Sequence, residues 1–165
     1  MKEILQALNE LKNNKIIDDY AIGGGIAALF YIEPFLTFDL DVFIIPTEKT
    51  KCGNLIILSP VYEYLEKKGC SWKGEHIIVG GVPVQFIPAD GLEREAVGNA
   101  KEIKYEGIKS KVLTPEYLIT VLLRAGRKKD LEKIEILLKL TDIDRNKLGD
   151  VLRRYRLSEK FRRLL

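Results

Sequence analysis

Residues 20–44 read YAIGGGIAALFYIEPFLTFDLDVFI, with three consecutive glycines at 23–25 and two aspartates, Asp39 and Asp41, inside an otherwise apolar run. A strand that served only the core would not carry two carboxylates. In a strand, residues i and i+2 point to the same side, so Asp39 and Asp41 project together while Phe38, Leu40 and Val42 pack on the opposite face. Two carboxylates held this close repel each other, and burying them without compensation is costly, so the pair calls for a cation. Oxygen ligands suit Mg²⁺ or Mn²⁺, and Mg²⁺ commonly takes one or two carboxylates together with substrate phosphates. The glycines fit the same chemistry, because a strand–Gly–Gly–helix turn presents backbone N–H groups at a helix start, where phosphate binds. Three glycines alone mark a tight turn, and Asp-x-Asp alone suits a surface strand. Their order within one short stretch reads instead as a phosphate cradle followed by a metal-binding pair. No Gly-Lys-Ser/Thr follows the glycines and no spaced G-x-G-x-x-G occurs, which excludes the P-loop and dinucleotide fingerprints.

Working outward, Ile4, Leu5, Leu8 and Leu11 space an amphipathic opening helix, and a short strand over 20–22 leads into the glycines. The helix over 26–32 is stopped by Pro34, and a strand runs from Phe38 to Ile45. Ser59-Pro60 caps another helix that ends at Gly69, and Gly80-Gly81 turns a hairpin between 75–79 and 82–87. A short helix over 91–97 and a strand pair about Gly107 follow. From Thr114-Pro115 onward only helices are expected, interrupted at Gly126 and continuing over 131–138, 144–155 and 158–164. The expected organisation is an α/β (α+β) part over residues 1–113 and a helical region over 114–165 packed on it.

The chain has 165 residues, 46% hydrophobic and 31% charged, enough for one domain with a real core. Its net charge of +3 is unevenly placed. The tail from Val151 carries a net of about +5, leaving about −2 for everything before it. A solvated helix face, an RNA-binding surface and a dock for an acidic partner are all open readings of that tail. Cys52 and Cys70 lack metal-ligand spacing and His76 is the only histidine, which argues against zinc and against a cysteine or serine nucleophile system. Free cysteines and the lack of a signal-like or membrane-length apolar run point to the cytoplasm. Trp72 is expected as a core anchor, and His76 as a surface residue of the hairpin.

Gly24-Gly25 followed by Thr37-Phe38-Asp39-Leu40-Asp41 resembles the Gly-Gly … Thr-x-Asp-hydrophobic-Asp signature of the polymerase-beta-like nucleotidyltransferase superfamily. The segment LTPEYLITVLLRAGRKKDLEKIEILL is similar to the helical half of its small prokaryotic members, the minimal nucleotidyltransferases and the abortive-infection toxins. The resemblance implies a mixed β-sheet flanked by helices and transfer of a nucleoside monophosphate from an NTP, with release of pyrophosphate. It implies that Gly24 and Gly25 contact the donor phosphates, that Asp39 and Asp41 ligate Mg²⁺ or Mn²⁺, and that Thr37 orients the pair. Arg127 and Lys129 are expected to approach the triphosphate, with pairing to Asp130 or Glu132 as the alternative for both. The acceptor (RNA, a protein hydroxyl or a small molecule) is left open, with the basic tail tilting toward RNA. The sequence departs from the family pattern at three places. Gln85 stands where a third carboxylate is usual, with Asp90 a few residues on; Leu122 replaces a lysine, and Phe35 an arginine. Gln85 leaves room for a degenerate relative that binds nucleotide, or that acts as a toxin–antitoxin-type interaction module, without transfer.

Overall fold

The computed structural model describes residues 1–32 and 39–165. The chain opens with α1 (Lys2–Asn13), whose Ile4, Leu5, Leu8 and Leu11 are all buried. Strand β1 (Ile17–Ile22) leads through Gly23 into the five-residue helix α2 (Gly24–Ala28). Strand β2 (Leu40–Pro46) carries Asp41, while Asp39 lies just before it. A 3₁₀ turn (Glu48–Thr50) and a small ribbon of β3 (Lys51–Cys52) and β4 (Leu55–Ile56) precede α3 (Ser59–Lys67). The chain then forms β5 (Ser71–Lys73), β6 (His76–Val79), β7 (Val82–Pro88) and α4 (Gly91–Gly98). Strands β8 (Lys101–Tyr105) and β9 (Ile108–Val112) complete the strands, and the rest is helical: α5 (Pro115–Ala125), α6 (Lys128–Leu140), α7 (Arg145–Arg154) and α8 (Ser158–Leu164).

Among the described residues the main sheet has seven strands in the order β5-β6-β7-β2-β1-β9-β8. It is mixed: β2 lies antiparallel to β1 and parallel to β7, and β1 lies parallel to β9. Leu40, Val42 and Ile44 of β2 are fully buried with Ile22 of β1, the apolar core that fixes the register of the central pair. Phe43, on the other face, is also buried, so β2 is covered on both sides except at its N-terminal end. That end is where Asp41 sits, half-buried.

Helix α5 is buried along nearly its whole length and packs against α2, α4, α6 and α7, so the helical region and the sheet share one core. It ends at Gly126, which adopts a left-handed conformation (φ +68°) and whose N–H donates to the Leu122 carbonyl. Glu95 of α4 ties the back of the molecule together. It accepts hydrogen bonds from the hydroxyls of Tyr117 (2.7 Å) and Tyr155 (2.5 Å) and pairs with Arg154.

Several local expectations need correction. The strand before the glycines begins at Ile17 rather than Tyr20, because Ile17 and Tyr20 are both buried against the core. Ser59 occupies the first helical position of α3, with Leu58 as the cap and no side-chain capping bond. Thr114 caps α5 by backbone geometry alone, and its hydroxyl is buried without a partner. Trp72 is not a core anchor. It is 45% exposed, packs its ring on Tyr62 at 4.7 Å and donates its indole N–H to Glu66. The ribbon β3–β4 was not expected; its exposed, short strands carry little hydrophobic periodicity.

Candidate functional site

The turn from β1 into α2 wraps around the start of β2. Gly23 donates its N–H to the Asp41 carbonyl at 2.9 Å, extending the β1–β2 pairing by one bond. Gly24 follows with φ +57°, a conformation that side-chain-bearing residues rarely adopt. A Cβ on Gly24 would run into the Asp41 carboxylate, and one on Gly23 would run into the Phe43 ring. The glycines are therefore needed so that the backbone of the α2 start can lie directly against Asp41. As first-turn groups, the N–H groups of Gly24 and Gly25 have no acceptor within the helix.

The Asp41 carboxylate opens into a cleft of about 430 Å³. Gly24, Phe43, Gln85 and Ile87 form its sheet side, Glu93 of α4 one wall, and Val121, Leu122, Arg124, Ala125 and Arg127 the helical side. Gln85 is the register partner of Asp41 across the parallel β2–β7 pair. Among the described residues no cluster of three or more His, Cys, Asp or Glu side chains could hold a metal; the carboxylates that could contribute to a smaller donor set here are Asp41 and, just before β2, Asp39. That donor set suits Mg²⁺ when ligand phosphates supply further oxygens.

The charges around Asp41 are of both signs. Burial pushes the Asp41 carboxyl pKa up; Arg127, Lys133 and Lys129 pull it down, and the charge of Asp39 pushes it up. Burial wins, so Asp41 sits above the usual carboxylate range despite three cations within electrostatic reach. Arg127 caps α6 and donates through Nε (2.6 Å) and a terminal nitrogen (3.2 Å) to Asp130, which is fully buried. Arg127 thus pairs with Asp130, the alternative expected for it, and also lines the cleft. Lys129 is exposed in the first turn of α6.

Of the expected site residues, Gly24, Asp41, Arg127 and Gln85 meet in the cleft, and Gly25, Asp39 and Lys129 lie outside its lining. Thr37 and Phe35 fall outside the described residues. Asp90 is exposed at the cap of α4. Leu122 lines the helical wall with an apolar side chain.

Two features around Asp41 escaped the sequence reading. Glu93 is 5% exposed and ion-paired with Arg124, and its Oε2 has no hydrogen-bond partner among the described residues. In sequence it is an acid in the first turn of a helix, a position that the helix dipole alone explains. Lys133 is half-buried beside Asp130 (3.9 Å); burial pushes its pKa down while Asp130 opposes. Its one-turn spacing from Asp130 looked like an ordinary surface pair.

No family model and no curated protein matches the sequence. Solved structures do match the fold over nearly the whole chain. An antigenic nucleotidyltransferase-like protein from Paracoccidioides brasiliensis is 18% identical, with a TM-score of 0.56 over 98% of this chain and 93% of that one. The antibiotic-resistance factor ANT(2'')-Ia in solution is 14% identical, with a TM-score of 0.52 over 99% and 94% of the two chains. A crystal structure of ANT(2'')-Ia with adenylyl-2''-tobramycin gives 14% identity and a TM-score of 0.52 over 93% and 95%.

Proposed function

From the nucleotidyltransferase fold as premise, we propose that this chain transfers a nucleoside monophosphate from an NTP to an acceptor hydroxyl, with Mg²⁺ or Mn²⁺ held by Asp39 and Asp41. The observation that carries this reading is the contact of the Gly24 backbone with the Asp41 carboxylate at the head of a cleft walled by Arg127. It brings the helix-start backbone, a carboxylate and a guanidinium to one cleft, the groups a metal–triphosphate needs. The metal, when bound, neutralises phosphate charge and orients the oxygens that attack and leave.

The chain's own residues supply the rest. Gly24 and Gly25 receive donor phosphate oxygens through backbone N–H groups. Arg127, with Lys129 and Lys133 behind it, offsets the triphosphate charge. The apolar wall of Phe43, Val121 and Leu122 keeps water away from the reacting phosphorus. In the transfer, the acceptor oxygen bonds to the α-phosphorus, the bond to the bridging oxygen breaks, and pyrophosphate leaves. Gln85 has no basic oxygen to take the acceptor's proton. The other carboxylate of the cleft lining is that of Glu93, which is held by Arg124.

Gln85 also favours a second reading, a nucleotide-binding relative that does not turn over. Calorimetric titration of the four NTPs, with and without Mg²⁺, tests the shared donor site. Metal-dependent binding is expected for the wild type and not for Asp39→Asn/Asp41→Asn; equal binding by both proteins sinks the reading. Pyrophosphate release in the presence of an acceptor separates the enzyme from the binding module.

A further inference from the structure

The C-terminal helices carry cations that the packing of the molecule does not use. Arg154 is held by Glu95, but Arg145, Arg156 and Arg163 are exposed and make no side-chain hydrogen bond or ion pair among the described residues. Arg153 pairs with Asp150 (3.0 Å) and Arg162 with Glu159 (2.5 Å), both exposed pairs one helical turn apart that a stronger anion displaces readily. Between α7 and α8 lies a cavity of about 300 Å³ with Leu148, Leu152 and Phe161 as its floor and Arg145, Arg153 and Arg162 on its rim. Helix α8 touches the helical wall of the cleft at one point. Lys160 of α8 donates to the Arg124 carbonyl at 3.3 Å, and Arg124 is part of the cleft wall.

The partner's chemistry follows from the shape. A stable protein partner needs roughly 800 Å² of well-packed surface per side with an apolar centre. Here Leu148 and Leu152 are already almost fully buried, leaving one ring-sized groove with the half-buried Phe161 in it. A planar base fits such a groove by stacking, and the guanidiniums around it suit phosphates spaced along a strand.

We propose that the α7–α8 face binds single-stranded polynucleotide, with one base in the Phe161 groove and the backbone across Arg145, Arg153 and Arg162. The strand's terminal hydroxyl is then the acceptor in the cleft; this last step rests on the nucleotidyltransferase reading, whereas the binding face does not.

The test is fluorescence anisotropy of the full chain with a labelled oligoribonucleotide of about 12 mixed-sequence nucleotides, titrated over a range of salt. Three to four phosphate contacts give a slope of log K against log salt of about −2 to −3. Arg145→Gln/Arg162→Gln weakens binding severalfold and makes the slope shallower by about 1.4. Lys67→Gln/Lys73→Gln, on exposed positions of α3 and β5, removes equal charge and leaves both unchanged. Phe161→Ala weakens binding of the base-bearing strand about tenfold but not of an abasic strand of equal charge. That comparison stays informative even if α8 frays, since fraying lowers both alike. Equal losses from the two charge variants, or binding of a duplex or of poly-glutamate as tight as that of the single strand, overturns the proposal. Asp39→Asn/Asp41→Asn is measured alongside. Strand binding without NTP binding by the wild type defeats the transferase reading and leaves the face standing; NTP binding without strand binding does the reverse.

Discussion

Gly24→Ala isolates the contact on which the cleft is built. Two separate costs add at this position. An alanine at φ +57° costs about 1–2 kcal/mol, because a left-handed backbone brings Cβ against a carbonyl oxygen. The new Cβ must also displace the Asp41 carboxylate, an overpacking cost of about 1–3 kcal/mol. The sum, roughly 3 kcal/mol, lowers Tm by about 10 °C in a chain of this size. Gly81→Ala is the control: Gly81 has φ +78° with nothing within 4 Å of a Cβ, so it reports the backbone cost alone. Asp41→Ala removes the obstructing carboxyl, so in a double-mutant cycle with Gly24→Ala a coupling of about 1–2 kcal/mol is expected. The assay is thermal and urea denaturation of the four proteins of the cycle and the control. If Gly24→Ala costs no more than Gly81→Ala, and its effect adds simply to that of Asp41→Ala, the glycine does not exist to admit the carboxylate.

Further outcomes follow from the same site. The folded Asp41 pKa lies above the ordinary 3.8, so the stability cost of ionising it is absent below that pH and complete above the folded value. Asp41→Asn should therefore gain on the wild type in Tm as pH rises through that window, and a constant difference across pH removes the claim. Glu95 behaves oppositely. Burial raises its pKa, but the hydroxyls of Tyr155 and Tyr117 and the charge of Arg154 outweigh it and hold the carboxyl below 4.5. Its contribution is present above 4.5 and lost as pH falls through the folded value, so Glu95→Gln should flatten the acid limb of the stability profile measured by circular dichroism. Arg127→Ala leaves Asp130 fully buried with only Lys133 at 3.9 Å, and should cost about 2 kcal/mol in urea denaturation. Gln85→Asp sets a third carboxylate opposite Asp41; Mn²⁺ binding followed by electron paramagnetic resonance should tighten, while Tm without metal falls.

The central part of the fold was legible because its signals are local. Gly80-Gly81 and Gly107 turn the hairpins they were expected to turn, and Gly126 ends α5 where the periodicity broke. The architecture too was legible, a mixed sheet with a helical C-terminal portion. What stayed hidden depends on distant residues. Nothing near Glu93 in sequence reveals that Arg124, 31 positions on, will cover it, nor that Lys133 will be drawn half inside toward Asp130 and Asp41. Trp72 misled for a related reason: its size suggests the core, but β5 is an edge strand with all three side chains exposed.

The hydrogen bond from Gly23 to the Asp41 carbonyl has one more consequence. Asp41 meets the α2 turn twice, through its main chain and through its side chain. Whatever draws the carboxylate therefore also loads that amide, and the Gly23 proton becomes a natural reporter of occupancy. Its exchange with deuterium should slow when the cleft fills, well before any change is visible in the sheet as a whole. A single backbone resonance at the mouth of the molecule would thus register ligands that leave no chromophore and cause no rearrangement.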